Sequence, residues 1–134
     1  MKIAVISDIH GNVEALDAVM QDIKTKKCDK VFVLGDYAMA GPEPEKVVDF
    51  FKSKKDDPTF KMIQGNTDAM MANYNDELYN TLKDKAPVMA EALKDDAATL
   101  SDSQKKFLKE LPMQLEVFES GVSMLLVHGS PRKN

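Results

Sequence analysis

Three short aliphatic runs, each closed by a polar or glycine break and then by residues at helical spacing, order the first half of the chain. Lys2-Ile3-Ala4-Val5-Ile6-Ser7 is too brief for a helix and has no polar alternation, which predicts a strand buried on both faces. Asn12 then stands as a helix N-cap. Leu16, Val19, Met20 and Ile23 recur with the helical period behind it, predicting an amphipathic helix of about 14 residues that ends in the basic turn Lys24–Lys27. Val31-Phe32-Val33-Leu34 stops at Gly35-Asp36, so strand, helix and strand form a right-handed parallel unit. Gly41-Pro42-Glu43-Pro44 opens a short helix with Val47, Val48, Phe50 and Phe51, closed by the polar stretch Ser53–Thr59. Phe60-Lys61-Met62-Ile63 is a third strand, and it stops at Gln64-Gly65-Asn66.

Residues 67–111 change character. Rich in Ala, Leu, Met, Lys and Asp, they predict two or three helices, the last opened by a capping box, Ser101-Asp102-Ser103-Gln104, and ended by Pro112. Met113–Phe118 then alternates apolar and polar residues, Glu119-Ser120-Gly121 turns, and Val122–Val127 is a strong strand, which together predict a β-hairpin. The methionines, Met70, Met71 and Met89 among them, read as gap-filling core residues, and Asp56-Asp57 and Asp95-Asp96 as solvated charge.

Chemistry gathers where the strands end. Ser7 gives way to Asp8 and His10, Leu34 to Asp36, Ile63 to Asn66, and Val127 to His128. Ligands of open parallel sheets bind at the carboxyl ends of the strands, so these residues converge on one rim if the four strands are neighbours. An Asp-x-His step in an extended segment puts both side chains on one side, where Asp8 and His10 can grip one ion. Carboxylate, imidazole and amide oxygen suit a divalent ion of the Mn, Fe or Zn kind, and the single Cys28 lies on no strand exit. Each piece alone is an ordinary turn. Their conjunction, with both histidines of the chain directly after strands, predicts a metal site.

Composition narrows the setting. At 134 residues the chain fits one domain, 1–134, with a single core. No apolar run reaches the roughly 20 residues of a membrane span, and a lone cysteine forms no internal disulfide, so a cytoplasmic protein is expected. The net charge of −4 argues against strong nucleic-acid binding, which rests on basic residues neutralising phosphates. If such a protein handles phosphate, a metal ion must neutralise it.

Asp8-Ile9-His10-Gly11-Asn12, Gly35-Asp36, Gly65-Asn66-Thr67-Asp68 and Val127-His128-Gly129-Ser130-Pro131 resemble, in order, the motifs of the calcineurin-like metallophosphoesterases, in particular their small prokaryotic phosphodiesterase branch. The resemblance covers nearly the whole chain. It implies an α/β fold, a four-layer α/β/β/α sandwich, whose rim holds two divalent ions (Mn, Fe, Zn or Ni). Asp8 and His10 would bind the first ion, Asp36 would bridge both, and Asn66 with His128 would bind the second. Asn66 and Asp36 would be catalytic, a metal-bridging hydroxide attacking phosphorus, with Asn66 and Thr67 on the substrate.

Two departures qualify that picture. The family usually carries a His after the Gly-Asn pair, where Thr67 stands, and Thr67 is no general acid at neutral pH. The family also ends in a Gly-His-x-His motif, and this sequence stops at Arg132-Lys133-Asn134 before one, which predicts a C-terminally truncated sandwich. Asp68 is expected to support the site by hydrogen bonding. The resulting expectation is a metal-dependent phosphoesterase, most specifically a phosphodiesterase, acting on a small phosphoester and compatible with a homo-oligomer. The alternative is a non-catalytic metal-binding or regulatory module. A phospho-acceptor receiver domain is disfavoured because Asp8 pairs with His10 and the third strand exit carries Asn66. Dinucleotide and P-loop binding lack their glycine loops altogether.

Overall fold

The computed structural model of the protein describes residues 1–132. Strands β1 (Ile3–Ile6), β2 (Lys30–Val33) and β3 (Phe60–Met62) pair in parallel in that order, and helices α1 (Val13–Thr25) and α2 (Pro44–Ser53) make the crossovers. Asn12 caps α1 as its sequence predicts, its side chain accepting the Ala15 N–H. Because side chains alternate across a strand, Val31 and Val33 face the helices and pack with Ala4, Ile6, Leu16, Val47 and Phe51. Phe32 and Leu34 face the other way, beside Ile3 and Ile63.

That second face is covered by the predicted hairpin, β4 (Gln114–Glu119) and β5 (Val122–Val127), which sets Leu115, Val117, Met124 and Leu126 onto Phe32 and Ile63. The described residues therefore stack helices, a parallel sheet and a second sheet, three successive layers of the α/β/β/α sandwich. The outer hairpin face stays open, with Phe118 72% exposed. One strand departs from expectation: β1 is an edge strand, and Val5, on the face that the hairpin covers only in part, is 61% exposed rather than buried.

Residues 67–111 hold four helices where two or three were expected: α3 (Asn66–Ala72), α4 (Asp76–Lys83), α5 (Pro87–Thr99) and α6 (Asp102–Glu110). Ala, Met, Leu and Lys sustain helix propensity across the breaks and mask them. The breaks nevertheless have local causes. Asn75 caps α4 by accepting the Leu78 N–H, Pro87 occupies the first turn of α5, and the Ser101–Gln104 capping box opens α6 as predicted. Packing of α3 on α6 and of α4 on α5 closes the helical layer around the buried Met71, Leu93 and Leu108. No helix among the described residues is long and apolar enough to cross a membrane.

Candidate metal centre

The strand exits of the parallel sheet are stitched to one another by backbone bonds that continue past the strands. Asp8 N–H donates to the Gly35 carbonyl at 3.0 Å, His10 N–H to the Asp36 carbonyl at 3.1 Å, and Gly11 N–H to the Tyr37 carbonyl at 2.9 Å. This geometry overturns the extended Asp-x-His reading. Asp8 and His10 lie in the left-handed region, at φ 57° and 48°, as does Asp36 at 58°. Such backbone costs about 1–2 kcal/mol per residue and persists where surrounding bonds over-determine it, typically at functional sites.

The loops deliver their side chains to one point. Ligand atoms of Asp8, His10 and Asp36 all lie within 4.8 Å of one another, a group able to hold a metal ion. The His10 ring directs Nδ1 at the carbonyls of Ala38 and Met39, at 3.1 and 3.0 Å, and so turns Nε2 toward Asp8 Oδ1 at 3.5 Å and Asp36 Oδ2 at 3.6 Å. His128 is held the same way from the other side. Its Nδ1 bonds the Leu34 carbonyl at 2.6 Å, and its Nε2 stands 3.5 Å from Asp36 Oδ2 and 2.9 Å from Asn66 Oδ1.

These contacts have the polarity of a cation site. A ring that donates from Nδ1 to a carbonyl has, when neutral, only a lone pair on Nε2, and here each Nε2 faces oxygens that are also acceptors. A positive ion between them resolves the conflict. Two ligand atoms each about 2.1 Å from one ion at a tetrahedral angle stand about 3.4 Å apart, close to the spacings of both imidazoles from Asp36. The other Asp36 oxygen is already committed, since Oδ1 accepts the Thr67 N–H at 3.1 Å, which leaves Oδ2 aimed between the two histidines. Asp36 is 4% exposed, so that charge is costly without a counter-charge.

His128 reaches the rim from β5, which belongs to the stacked hairpin. The convergence expected of four neighbouring strands is thus achieved by three neighbours and one strand of the other layer. Asn66 is the first residue of α3 and is exposed; Thr67 beside it is buried, and its Oγ1 has no hydrogen-bond partner among the described residues. Cys28 precedes β2, at the opposite end of that strand from Asp36.

Close backbone approach sets the spacing between the exits of β2 and β3. Gly35, at φ +99°, leaves 2.4 Å between an imagined Cβ and the Gly65 nitrogen, and a Cβ on Gly65 would lie 2.1 Å from Asp36 Oδ1. Behind them Asp68, fully buried, accepts the N–H groups of Asp36 at 2.7 Å, Tyr37 at 3.0 Å and Gly65 at 2.8 Å. Burial pushes its carboxyl up to about 6 against the pull of those three bonds, with a smaller push from Asp36. Burial, then the charges of Asp68 and Asp36, hold the Tyr37 phenol well above its ordinary range, and its hydroxyl donates to the Ile63 carbonyl at 2.8 Å. Asp68 has the supporting role expected of it. Tyr37 carried no sequence signal beyond its place after Gly35-Asp36.

Asp96 corrects its sequence reading. It is only partly exposed, and its Oδ2 accepts the Ala40 N–H at 2.7 Å, tying α5 to the loop whose carbonyls orient His10. Burial raises its carboxyl pKa. The cause of the misreading is plain: an Asp-Asp pair on a helix looks solvated until a loop is packed against it.

The sequence profile of the Calcineurin-like phosphoesterase superfamily domain matches residues 1–134. The uncharacterized protein MJ0912 of Methanocaldococcus jannaschii is 31% identical over 131 residues, 97% of this chain and 50% of its own length. Among solved structures, hypothetical protein PH1004 of Pyrococcus horikoshii superposes with a TM-score of 0.87 at 24% identity, over 98% of this chain and 56% of that one. A metallophosphoesterase from Sphaerobacter thermophilus gives 0.65 at 28%, over 86% and 43%. The chain spans about half the length of the curated relative it matches. On the full-length profile match, the chain belongs to the calcineurin-like phosphoesterase superfamily.

Proposed function

We propose that this chain carries the metal centre of a dinuclear phosphoesterase, most specifically a phosphodiesterase acting on a small phosphoester. One observation supports the reading above others: the Nε2 atoms of His10 and His128 flank a single buried oxygen, Asp36 Oδ2, at 3.6 and 3.5 Å. Asp8 and His10 would hold one divalent ion, Asn66 and His128 the other, with Asp36 between. Bound dications supply positive charge for phosphoryl oxygens and make nearby water more acidic.

The chain's own residues do the rest. Carbonyls of Ala38, Met39 and Leu34 fix the direction of both rings, so each Nε2 would meet an ion without reorganising. Asp36 contributes negative charge at one fixed point because the Thr67 N–H pins its other oxygen. Asn66, exposed at the start of α3, would orient substrate as well as an ion, and the Thr67 hydroxyl beside it is buried, so it would meet substrate only once uncovered. Thr67 cannot deliver a proton to a departing alkoxide at neutral pH, so esters with good leaving groups are favoured.

Hydrolysis of bis(4-nitrophenyl) phosphate with added manganese tests the reading. Turnover that falls by a factor of 100 or more in Asp36→Asn is expected, on the scale of losing a group that holds transition-state charge. Two bound ions with no turnover would instead favour the non-catalytic metal-binding module, and no metal binding at all would overturn both.

A further inference from the structure

Among the described residues β3 is an edge strand, and a groove runs along it. Two hollows of about 300 and 220 Å³ share Lys55, Phe107 and Glu110, and together they form one depression between β3, α6 and the end of α2. Phe60, Met62, Phe107 and Leu115 make its apolar floor. Four lysines line it, Lys52, Lys55, Lys61 and Lys106, against a single acid, Glu110. This surplus of positive charge is local, because the chain as a whole carries −4.

The lysines are only loosely engaged. Glu110 stands 3.8 Å from both Lys55 and Lys106 in exposed pairs of the kind that contribute little, and Lys52 donates to the neutral Ser103 hydroxyl at 2.8 Å. A carboxylate arriving from outside therefore displaces no strong partner.

The backbone of the edge is open as well. Val31 N–H donates to the Thr59 carbonyl at 2.9 Å and Ile63 N–H to the Val33 carbonyl at 3.0 Å, so by alternation the backbone groups of Phe60 and Met62 face away from β2. The Asp57 carbonyl takes the Phe60 N–H at 3.0 Å, and further along the Pro112 carbonyl takes the Gln64 N–H at 2.8 Å. Met62, between them, has no such partner among the described residues. It presents one donor and one acceptor to the groove.

We propose that this groove is a docking surface for an extended acidic segment of a partner protein. Such a segment pairs its backbone with Met62, sets apolar side chains on Phe107 and Leu115, and meets the lysines with Asp or Glu. Simpler ligands use only part of what is offered. A small anion leaves the floor wet, an apolar molecule gains nothing from the lysines, and a nucleic-acid backbone leaves the strand edge unpaired and meets the Glu110 carboxylate among the cations. The surface uses none of the residues of the metal centre, so it stands whether or not the chain hydrolyses phosphoesters.

A fluorescein-labelled peptide, Glu-Asp-Phe-Glu-Leu-Asp-Phe-Glu, titrated into the chain and followed by anisotropy and amide NMR, tests this. It should bind with shifts centred on Met62, Leu111 and Leu115, and replacing its apolar residues by serine should weaken it about tenfold or more, the scale of burying one large apolar side chain. The charge reversal Lys55→Glu with Lys106→Glu, on exposed side chains, should cost about tenfold or more, and the milder Lys55→Gln with Lys106→Gln about threefold, which keeps the test intact should the reversal disturb folding. No binding, equal binding of the serine peptide, affinity unmoved by either pair of substitutions, or shifts that avoid β3 would overturn the proposal. So would tighter binding of an oligouridylate of equal charge, which would make the groove a polyanion site instead.

Discussion

Asp68 holds Asp36 in place through the backbone: its carboxylate accepts the Asp36 N–H at 2.7 Å while also taking those of Tyr37 and Gly65, so one buried side chain joins the ends of β2 and β3. Removing it orphans three buried donors, each costing about 1–3 kcal/mol, partly offset by the release of a buried charge. Asp68→Ala should therefore lower the unfolding free energy by about 3 kcal/mol in urea titrations and weaken metal binding at least tenfold. A loss under about 1 kcal/mol would show that the clamp is not what spaces the two exits.

The same residue gives the fold a pH dependence of definite sign. Its carboxyl is raised to about 6 in the folded state from an ordinary value of 3.8, so between those values the folded chain holds a proton that the unfolded chain releases. The contribution is fully present below pH 3.8 and is lost as pH rises through about 6, a decline on the order of 3 kcal/mol. Urea titrations of the metal-free chain from pH 4 to 7 should show this falling component. It should be missing from the Asp68→Ala profile, and parallel profiles for the two chains would refute the assignment.

Gly65 fixes how closely the exits approach. A Cβ there would sit 2.1 Å from Asp36 Oδ1 and 2.5 Å from the Asp36 nitrogen, and at least the latter is backbone that cannot swing aside. Gly65→Ala should cost about 2–4 kcal/mol, within the range of strained or overpacked substitutions, and disperse the amide signals of Asp36 and Thr67. An unchanged melting temperature would mean that the two loops yield more readily than their hydrogen bonds suggest.

The strand exits were legible in the sequence because side chains of ligand type followed directly on apolar runs: Asp8 and His10 after β1, Asp36 after β2, Asn66 after β3 and His128 after β5 all reach the same rim. What the sequence obscured was tertiary. The left-handed φ of Asp8 and His10 follows from bonds to the β2 loop, some 27 residues away, which no local pattern encodes. Asp96 looked solvated because its partner, Ala40, is 56 residues distant. The exposure of Val5 depends on which strand lies at the edge, a matter of sheet order that an apolar run does not disclose.

Metal should stabilise the chain through Asp36. An ion bound only by the folded state at a hundred times its dissociation constant adds about 2.7 kcal/mol. Manganese or zinc should raise the melting temperature of the wild-type chain accordingly and leave Asp36→Asn unmoved. Without metal the variant should be no less stable than wild type, because its amide oxygen still accepts the Thr67 N–H and a buried charge is gone. A metal-induced shift that survives Asp36→Asn would place the ion elsewhere.

Thr67 separates structural from functional demands within one side chain. Its N–H serves Asp36, but its Oγ1 is buried with no partner among the described residues, a state that costs about 1–3 kcal/mol. Valine has nearly the same shape and no hydroxyl. If Thr67 is there for the fold, Thr67→Val should change nothing of consequence in phosphate binding. If it is kept for an incoming phosphoryl oxygen, the substitution should raise unfolding free energy by about 1 kcal/mol and weaken inorganic phosphate binding to the metal-loaded chain about fivefold, one neutral hydrogen bond's worth. We expect the second pattern, since a donor unpaired among the described residues, next to Asn66 and one residue from the proposed metal rim, gives the fold nothing. Unchanged phosphate affinity, measured by calorimetry at fixed manganese, would return Thr67 to a packing role.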